Sequence, residues 1–254
     1  MAVAAKKRPT PNSSGPRNVV AEARTGKARR SKRSLWEAAK PWLWPIAIFL
    51  LIRTFLIEAY RIPSGSMEPT LLVGDFLFVN KLIFGPTIPF TNVHLPGYAE
   101  PKRGEVVIYT SPDVGDGNPT VVKRLVGVAG DTLYMRAGLL YVNGIAQRQG
   151  FAAITPDAVP DEPSSDFEWQ RQYGLKASRF GAAPAQPTHD NWGPFVIPPK
   201  HIFGLGDNRY NSKDARYYGF VPRGNVHGRP LFLYFSFDWD AIRVRWSRIG
   251  QIIR

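Results

Sequence analysis

One apolar run, Pro41 to Ile57 (PWLWPIAIFLLIRTFLI), limits what the rest of this chain can be. Its 17 residues make a helix roughly 26 Å long at 1.5 Å per residue, near the short end of a membrane span. Arg53 lies within about a turn of the end, where its long stem can carry the charge to the interface. Pro45 falls near the first turn, where a missing N–H costs little. Trp42, Trp44 and Tyr60 stand where interfacial aromatics belong. The sequence thus predicts one transmembrane helix over residues 41–59. A buried core helix is the alternative. A cleaved leader fits less well, because no small-residue cleavage site follows the run.

Charge gives the span a direction. The formal net charge is +13, which taken alone would suggest a nucleic-acid partner. Residues 1–40, however, hold 11 Lys and Arg against two acids, so +9 precedes the span and only +4 is spread over all that follows. A basic segment beside a span stays cytoplasmic and meets anionic lipid. Residues 1–40 therefore read as a basic, disordered cytoplasmic tail, poor in large apolar side chains, and residues 58–254 lie across the membrane. Nucleic acid is not an expected partner. With no cysteine, disulfides, thiolate catalysis and Cys-ligated zinc are all excluded. The four histidines, His94, His189, His201 and His227, lack ligand spacing. Each reads as a surface or loop residue, and no metal or cofactor is expected.

After the span the texture changes to short β-type runs broken by Gly, Pro and Asp. The expected strands are Phe76–Asn80, Glu105–Tyr109, Val121–Ala129, Thr132–Met135, Leu139–Val142, His201–Leu205 and Leu231–Trp239. Asn143-Gly144 is a hairpin signal. The fold class is mostly β: a catalytic body of small antiparallel sheets (60–144 and 201–254) with an inserted, looser β subdomain (145–200). The insertion is rich in Pro, Asp, Gln and Ala. The basic, amphipathic stretch Ile242–Arg254 either lies on the membrane surface or caps the fold.

Three stretches can carry chemistry. In RIPSGSMEPTL, residues 61–71, two prolines stiffen a loop anchored by Ile62, Met67, Leu71 and Leu72. Such a loop can aim the Ser66 hydroxyl and a backbone N–H at one point, as acyl transfer requires. Ser66 needs a base. No histidine stands in a triad context, whereas Lys123 sits among Val121, Val122, Leu125 and Val126. An exposed lysine, with a pKa near 10.4, is neutral only about once in 2,500 at pH 7. Burial that lowers this by roughly 3 to 4 units makes it a competent base. A salt-bridged strand lysine is the alternative. The third stretch, Gly204 to Arg216, brings Ser212, Asp214 and Arg216 together as a support loop, where Ser212 can position the amine and Asp214 can pair with Arg216.

Together RIPSGSMEPTL, RGEVVIY, VVKRLVGVAGD and GLGDNRYNSKDARYYGFVP resemble, in this order, the bacterial type I signal peptidases, over roughly residues 45–235. The resemblance implies a membrane-anchored Ser/Lys endopeptidase that removes signal peptides from exported preproteins on the outer, periplasmic side of the inner membrane. Ser66 matches its nucleophile, Lys123 its general base and Ser64 the hydroxyl that joins the Ser66 N–H in the oxyanion hole. Ser212 matches the serine that hydrogen-bonds the lysine, Asp214 and Arg216 the supporting pair, and Ile62, Met67 and Val122 the pockets for small side chains. Tyr210 stands where the family usually has Asp, and Ala215 where it often has Ser. The implied partners are preprotein signal peptides and membrane lipid, with a monomeric enzyme. A peptidase dedicated to one secreted or pilus substrate, and an inactive tethered binding module, are the rival readings.

Overall fold

The computed structural model describes residues 35–86, 88, 91, 93, 95–147, 161–176 and 178–254. The tail expected over residues 1–34 and His94 lie outside the described residues.

Helix α1 runs Leu35–Leu51 and continues as a π-helical turn, Ile52–Leu56. It therefore begins before Pro41, because Leu35 to Lys40 (LWEAAK) contains mostly strong helix formers. Pro41 and Pro45 consequently sit inside the helix, and the expected first-turn placement of Pro45 is corrected. Each interior proline removes one i→i−4 hydrogen bond. The stretch Ala39–Leu56 is long and apolar enough to cross a membrane, and none of it is buried within the protein. Ile57 is already extended (φ −134°, ψ 134°). Residues 57–59, expected in the span, are thus strand, since the chain passes directly from the π-turn into β1.

Among the described residues twelve strands follow: β1 (Ile57–Arg61), β2 (Asp75–Asn80), β3 (Val106–Thr110), β4 (Thr120–Val128), β5 (Thr132–Arg136), β6 (Leu139–Val142), β7 (Ile145–Ala146), β8 (Trp192–Val196), β9 (His201–Leu205), β10 (Val221–Pro222), β11 (Val226–Asp238) and β12 (Arg243–Val244). The larger sheet is ordered β1-β2-β11-β3-β4-β9-β10, with β12 added to β11, and the smaller β7-β6-β5-β8. Every pairing is antiparallel. The body is mostly β, as expected; among the described residues α-helix returns only as a four-residue turn, α2 (Ala215–Tyr218), beside short 3₁₀ segments such as Ser165–Gln172.

Local chemistry explains several elements. In β2, Asp75, Leu77 and Val79 are buried while Phe76, Phe78 and Asn80 are half-buried, the period-two pattern of a strand with one core face. Val142 pairs with Ile145 across Asn143-Gly144, whose φ angles of 53° and 88° make the left-handed turn that asparagine and glycine accept. Two strands were concealed by breakers. The sequence WGPFV of β8 reads as a turn, yet it pairs with β5. Strand β11 starts at Val226 rather than Leu231. It absorbs Pro230 through register shifts on β2, and Gly228 lets the backbone of Asn80 approach so closely that a β-carbon would lie 2.5 Å from its carbonyl.

Two buried clusters flank the site. Ile62, Met67, Leu71, Leu77, Val79, Val106, Ile108 and Leu233 pack beneath the loop that carries Ser66. Trp192, Phe195, Leu133, Phe203, Leu205 and Ala215 join the smaller sheet to β9 and α2. Burying each large apolar side chain stabilises the fold by about 1.5–3 kcal/mol. The stretch Ile242–Arg254 is not a continuous helix. After β12 and a short turn (Trp246–Arg248) it runs back along β11, with Gly250 N–H donating to Leu233 O at 2.7 Å and Ile253 N–H to Leu231 O at 3.0 Å. Those bonds pack the stretch onto β11.

Candidate active site

The Ser66 loop is fixed at both ends by backbone bonds. Ile62 N–H donates to Asp75 O at 2.8 Å, and Leu71 N–H to Met67 O at 2.9 Å. Between them Gly65–Met67 forms a short 3₁₀ turn. Its first N–H groups have no acceptor within the turn, and Ser66 N–H is one of them. Ser64 precedes the turn in an extended conformation (φ −136°, ψ 157°), exposed, and its hydroxyl does not cap the turn. A β-carbon at Gly65 would lie 3.1 Å from the Glu68 carboxyl carbon, the far end of a side chain that can give way.

Lys123 approaches from β4. It is 3 % exposed, and its Nζ lies 2.8 Å from Ser66 Oγ. Gly204 on β9, the register partner of Leu125, leaves room for it: a β-carbon at 204 would stand 3.2 Å from Lys123 Cβ and 2.8 Å from the Tyr109 hydroxyl. Burial pushes the Lys123 amine down to about 8; Asp214 pulls it back up, Arg216 lowers it and Asp207 raises it. The fall is smaller than the 3 to 4 units considered from the sequence, because two carboxylates oppose the desolvation. Even so, about one amine in ten is neutral at pH 7. A neutral amine at this distance can accept the hydroxyl proton while the oxygen attacks an electrophile.

The support loop is built around a fully buried ion pair. Burial alone would raise the Asp214 carboxyl, but the Arg216 guanidinium beside it, with help from Lys123 and the Gly206 N–H, holds it at about 2. Asp214 Oδ1 accepts from Arg216 Nε at 2.9 Å and from the Arg216 N–H at 3.2 Å, which caps α2, while Oδ2 accepts from Arg216 Nη2 at 2.8 Å and Gly206 N–H at 3.0 Å. The pairing expected from sequence is therefore formed. The expected Ser212–lysine bond is not. Ser212 is buried, but its Oγ has no hydrogen-bond partner among the described residues. It packs on Gly206, where a β-carbon would collide with Ser212 Oγ and stand 2.5 Å from Ser66 O.

Ile62, Met67 and Val122, expected as pocket residues, meet in one cluster, the first two buried and Val122 half-buried against them. Ala215 is fully buried at the start of α2, and Tyr210 donates its hydroxyl to Asp190 Oδ2 at 3.0 Å. Two histidine placements need correcting: His201 and His227 lie in β9 and β11, not loops. His189 lies in a loop, as expected, half-buried beside Arg216, Arg209 and Asp190.

Other contributors received no role from sequence. Asn208 N–H donates to Ser66 O at 3.1 Å, tying the two loops directly. Asp207 accepts from Arg124 Nε and Nη2, each at 2.8 Å, and from Thr70 Oγ1 at 2.6 Å. The GDNR tetrapeptide was the available signal for these two, but nothing local marks their distant partners. Arg248 donates to Thr70 O at 2.9 Å and to Asp75 Oδ2 at 2.6 Å, bracing the Ser66 loop from the far end of the chain. Among the described residues no cluster of metal-ligating side chains occurs.

The family described as signal peptidase, peptidase S26, matches residues 35–235. A signal peptidase I of Pseudomonas fluorescens is 32% identical over 240 residues, covering 86% of this chain and 79% of that protein. One from Pseudomonas aeruginosa is 34% identical over 243 residues with the same coverage. A crystal structure of a signal peptidase I from Enterococcus faecalis aligns at 26% identity with a TM-score of 0.31, covering 51% of this chain and 96% of that one. On the match over residues 35–235 and these identities, the chain belongs to the signal peptidase family of S26 peptidases.

Proposed function

We propose that this protein is a membrane-anchored serine endopeptidase that removes N-terminal signal peptides from exported preproteins, with Ser66 as nucleophile and neutral Lys123 as general base. Removal of signal peptides by a serine peptidase follows from family membership. The observation that carries the rest is the 2.8 Å separation of Ser66 Oγ from a lysine amine sealed from water. As Oγ attacks the carbonyl at the cleavage site, Lys123 takes its proton and passes it to the departing amine. The resulting acyl-enzyme is hydrolysed by a water that the same lysine deprotonates. Ser66 N–H and the Ser64 hydroxyl receive the oxyanion. Asp214 and Arg216 support the lysine, Ser212 packs against Gly206 beneath the Ser66 carbonyl, and Ile62, Met67 and Val122 form the apolar wall against which small substrate side chains rest.

Helix α1 anchors the enzyme, and the excess of basic residues before it orients it: the N-terminus cytoplasmic, the catalytic body on the outer face of the inner membrane. A single protomer holds both Ser66 and Lys123, so a monomer suffices. The test is cleavage of a preprotein by purified Ser66→Ala and Lys123→Ala proteins. Each should lose processing while remaining folded, and full activity in either refutes the dyad.

A further inference from the structure

Arg216 is fully buried, and the atoms not spent on Asp214 are held largely by the segment that comes between β7 and β9. Its carbonyl accepts from Trp169 Nε1 at 2.7 Å and Gln170 Nε2 at 3.3 Å. Its Nη2, besides reaching Asp214, donates to Arg209 O at 2.6 Å. Its remaining guanidinium nitrogen, Nη1, meets His189 Nε2.

The imidazole is itself oriented. His189 Nδ1 lies 2.6 Å from Asp190 Oδ1, whose partner oxygen accepts the Tyr210 hydroxyl, and the Tyr210 ring stacks on the imidazole at 4.9 Å between centroids. Asp161 fixes Asp190 in turn by accepting its backbone N–H at 2.9 Å. A carboxylate at Nδ1 selects the tautomer protonated there, which turns the Nε2 lone pair toward Arg216. The charged and titratable groups around the ring are therefore Asp190 and, through it, Asp161, Tyr210 on its face, and Arg216 at Nε2, with Arg209 O 2.9 Å from the same nitrogen.

We propose that His189 is a positioning residue for proton transfer between Ser66 and Lys123: oriented by Asp190, its Nε2 accepts from Arg216 and keeps that guanidinium against Asp214. This rests on the Ser/Lys reading above and gives Asp161, His189 and Asp190 a part in the site. Without the acceptor, Nη1 is a buried donor with nothing to bond, and the guanidinium turns away from Asp214. The carboxylate then faces Lys123 with less of its charge neutralised, which favours the protonated amine and removes base at neutral pH.

The experiment compares His189→Gln, which keeps an acceptor, with His189→Met, of similar size and without one, in the full chain, using a preprotein substrate across pH. His189→Met should lower kcat/KM about tenfold at pH 7, the size expected from losing a hydrogen bond to a charged group. It should also move the acid limb of the profile to higher pH with KM little changed, and His189→Gln should restore most of both. A wild-type rate and limb for His189→Met, or equal damage from both variants, overturns the proposal. If His189→Met does not fold, Asp190→Leu, which frees the ring, must move the limb the same way, and no movement overturns it. Ser66→Ala and Lys123→Ala in the same preparation separate the two levels. If they are inactive while His189→Met is wild-type, only this inference fails; if they are active, the dyad itself fails.

Discussion

Arg124 and Asp207 meet through two parallel hydrogen bonds of 2.8 Å, with both side chains almost completely buried. Asp207 also holds Thr70, so one carboxylate joins β4, the support loop and the Ser66 loop. Removing one partner strands a buried charge. Asp207→Asn or Arg124→Met should cost about 3–5 kcal/mol in urea unfolding. The double variant Arg124→Met/Asp207→Leu should lose less than the sum, and strict additivity would show that the two do not act as a pair.

Activity should rise with pH. Lys123 is neutral above about 8, so kcat/KM for a preprotein should climb through neutral pH and level off above that value, with an acid limb far below the ordinary lysine range. A flat profile from pH 6 to 9 would exclude this lysine as the base.

The same shift has a stability sign. The folded-state value of about 8 lies below the ordinary 10.5, so between them the unfolded chain binds more protons and stability rises with pH. Lys123→Met should therefore be inactive but more stable than wild type at pH 7, with the gain shrinking toward pH 10.5. Denaturant midpoints at the two pH values measure it.

Asp214 works in the opposite sense. Held at about 2 against an ordinary 3.8, it contributes stability that is present above pH 4 and lost as pH falls toward 2. Wild type should lose stability across that window, and Asp214→Asn should show a flatter slope there. The variant leaves Arg216 without its counter-charge, so it should also cost about 3–5 kcal/mol at neutral pH.

Gly206→Ala tests space rather than charge. The added carbon would press on Ser212 and on the Ser66 carbonyl. Loss of preprotein cleavage, with melting temperature reduced by only a few degrees, is expected. Unchanged cleavage would show that the carbonyl of Ser66 can move without consequence.

The sequence made local features legible. Ser66 and Lys123 stand in short stretches whose composition states their environment: a proline-stiffened loop and a lysine within a valine-rich strand. Asn143-Gly144 encodes its own turn. What stayed concealed depends on distant partners. Pro41 and Pro45 look like helix starts until Leu35–Lys40 proves helical, and Gly193-Pro194 looks like a loop until Leu133 and Met135 pair across it. His189 looked unremarkable because Asp190 is its only important neighbour in sequence; Tyr210 and Arg216 reach it through the fold.

Arg248 reaches back 178 positions to hold the carbonyl of Thr70, four residues from the proposed nucleophile. A chain still emerging from the ribosome, with that arginine not yet made, lacks this brace beside Ser66. The loop that carries Ser66 therefore gains its full support only once residue 248 has been added.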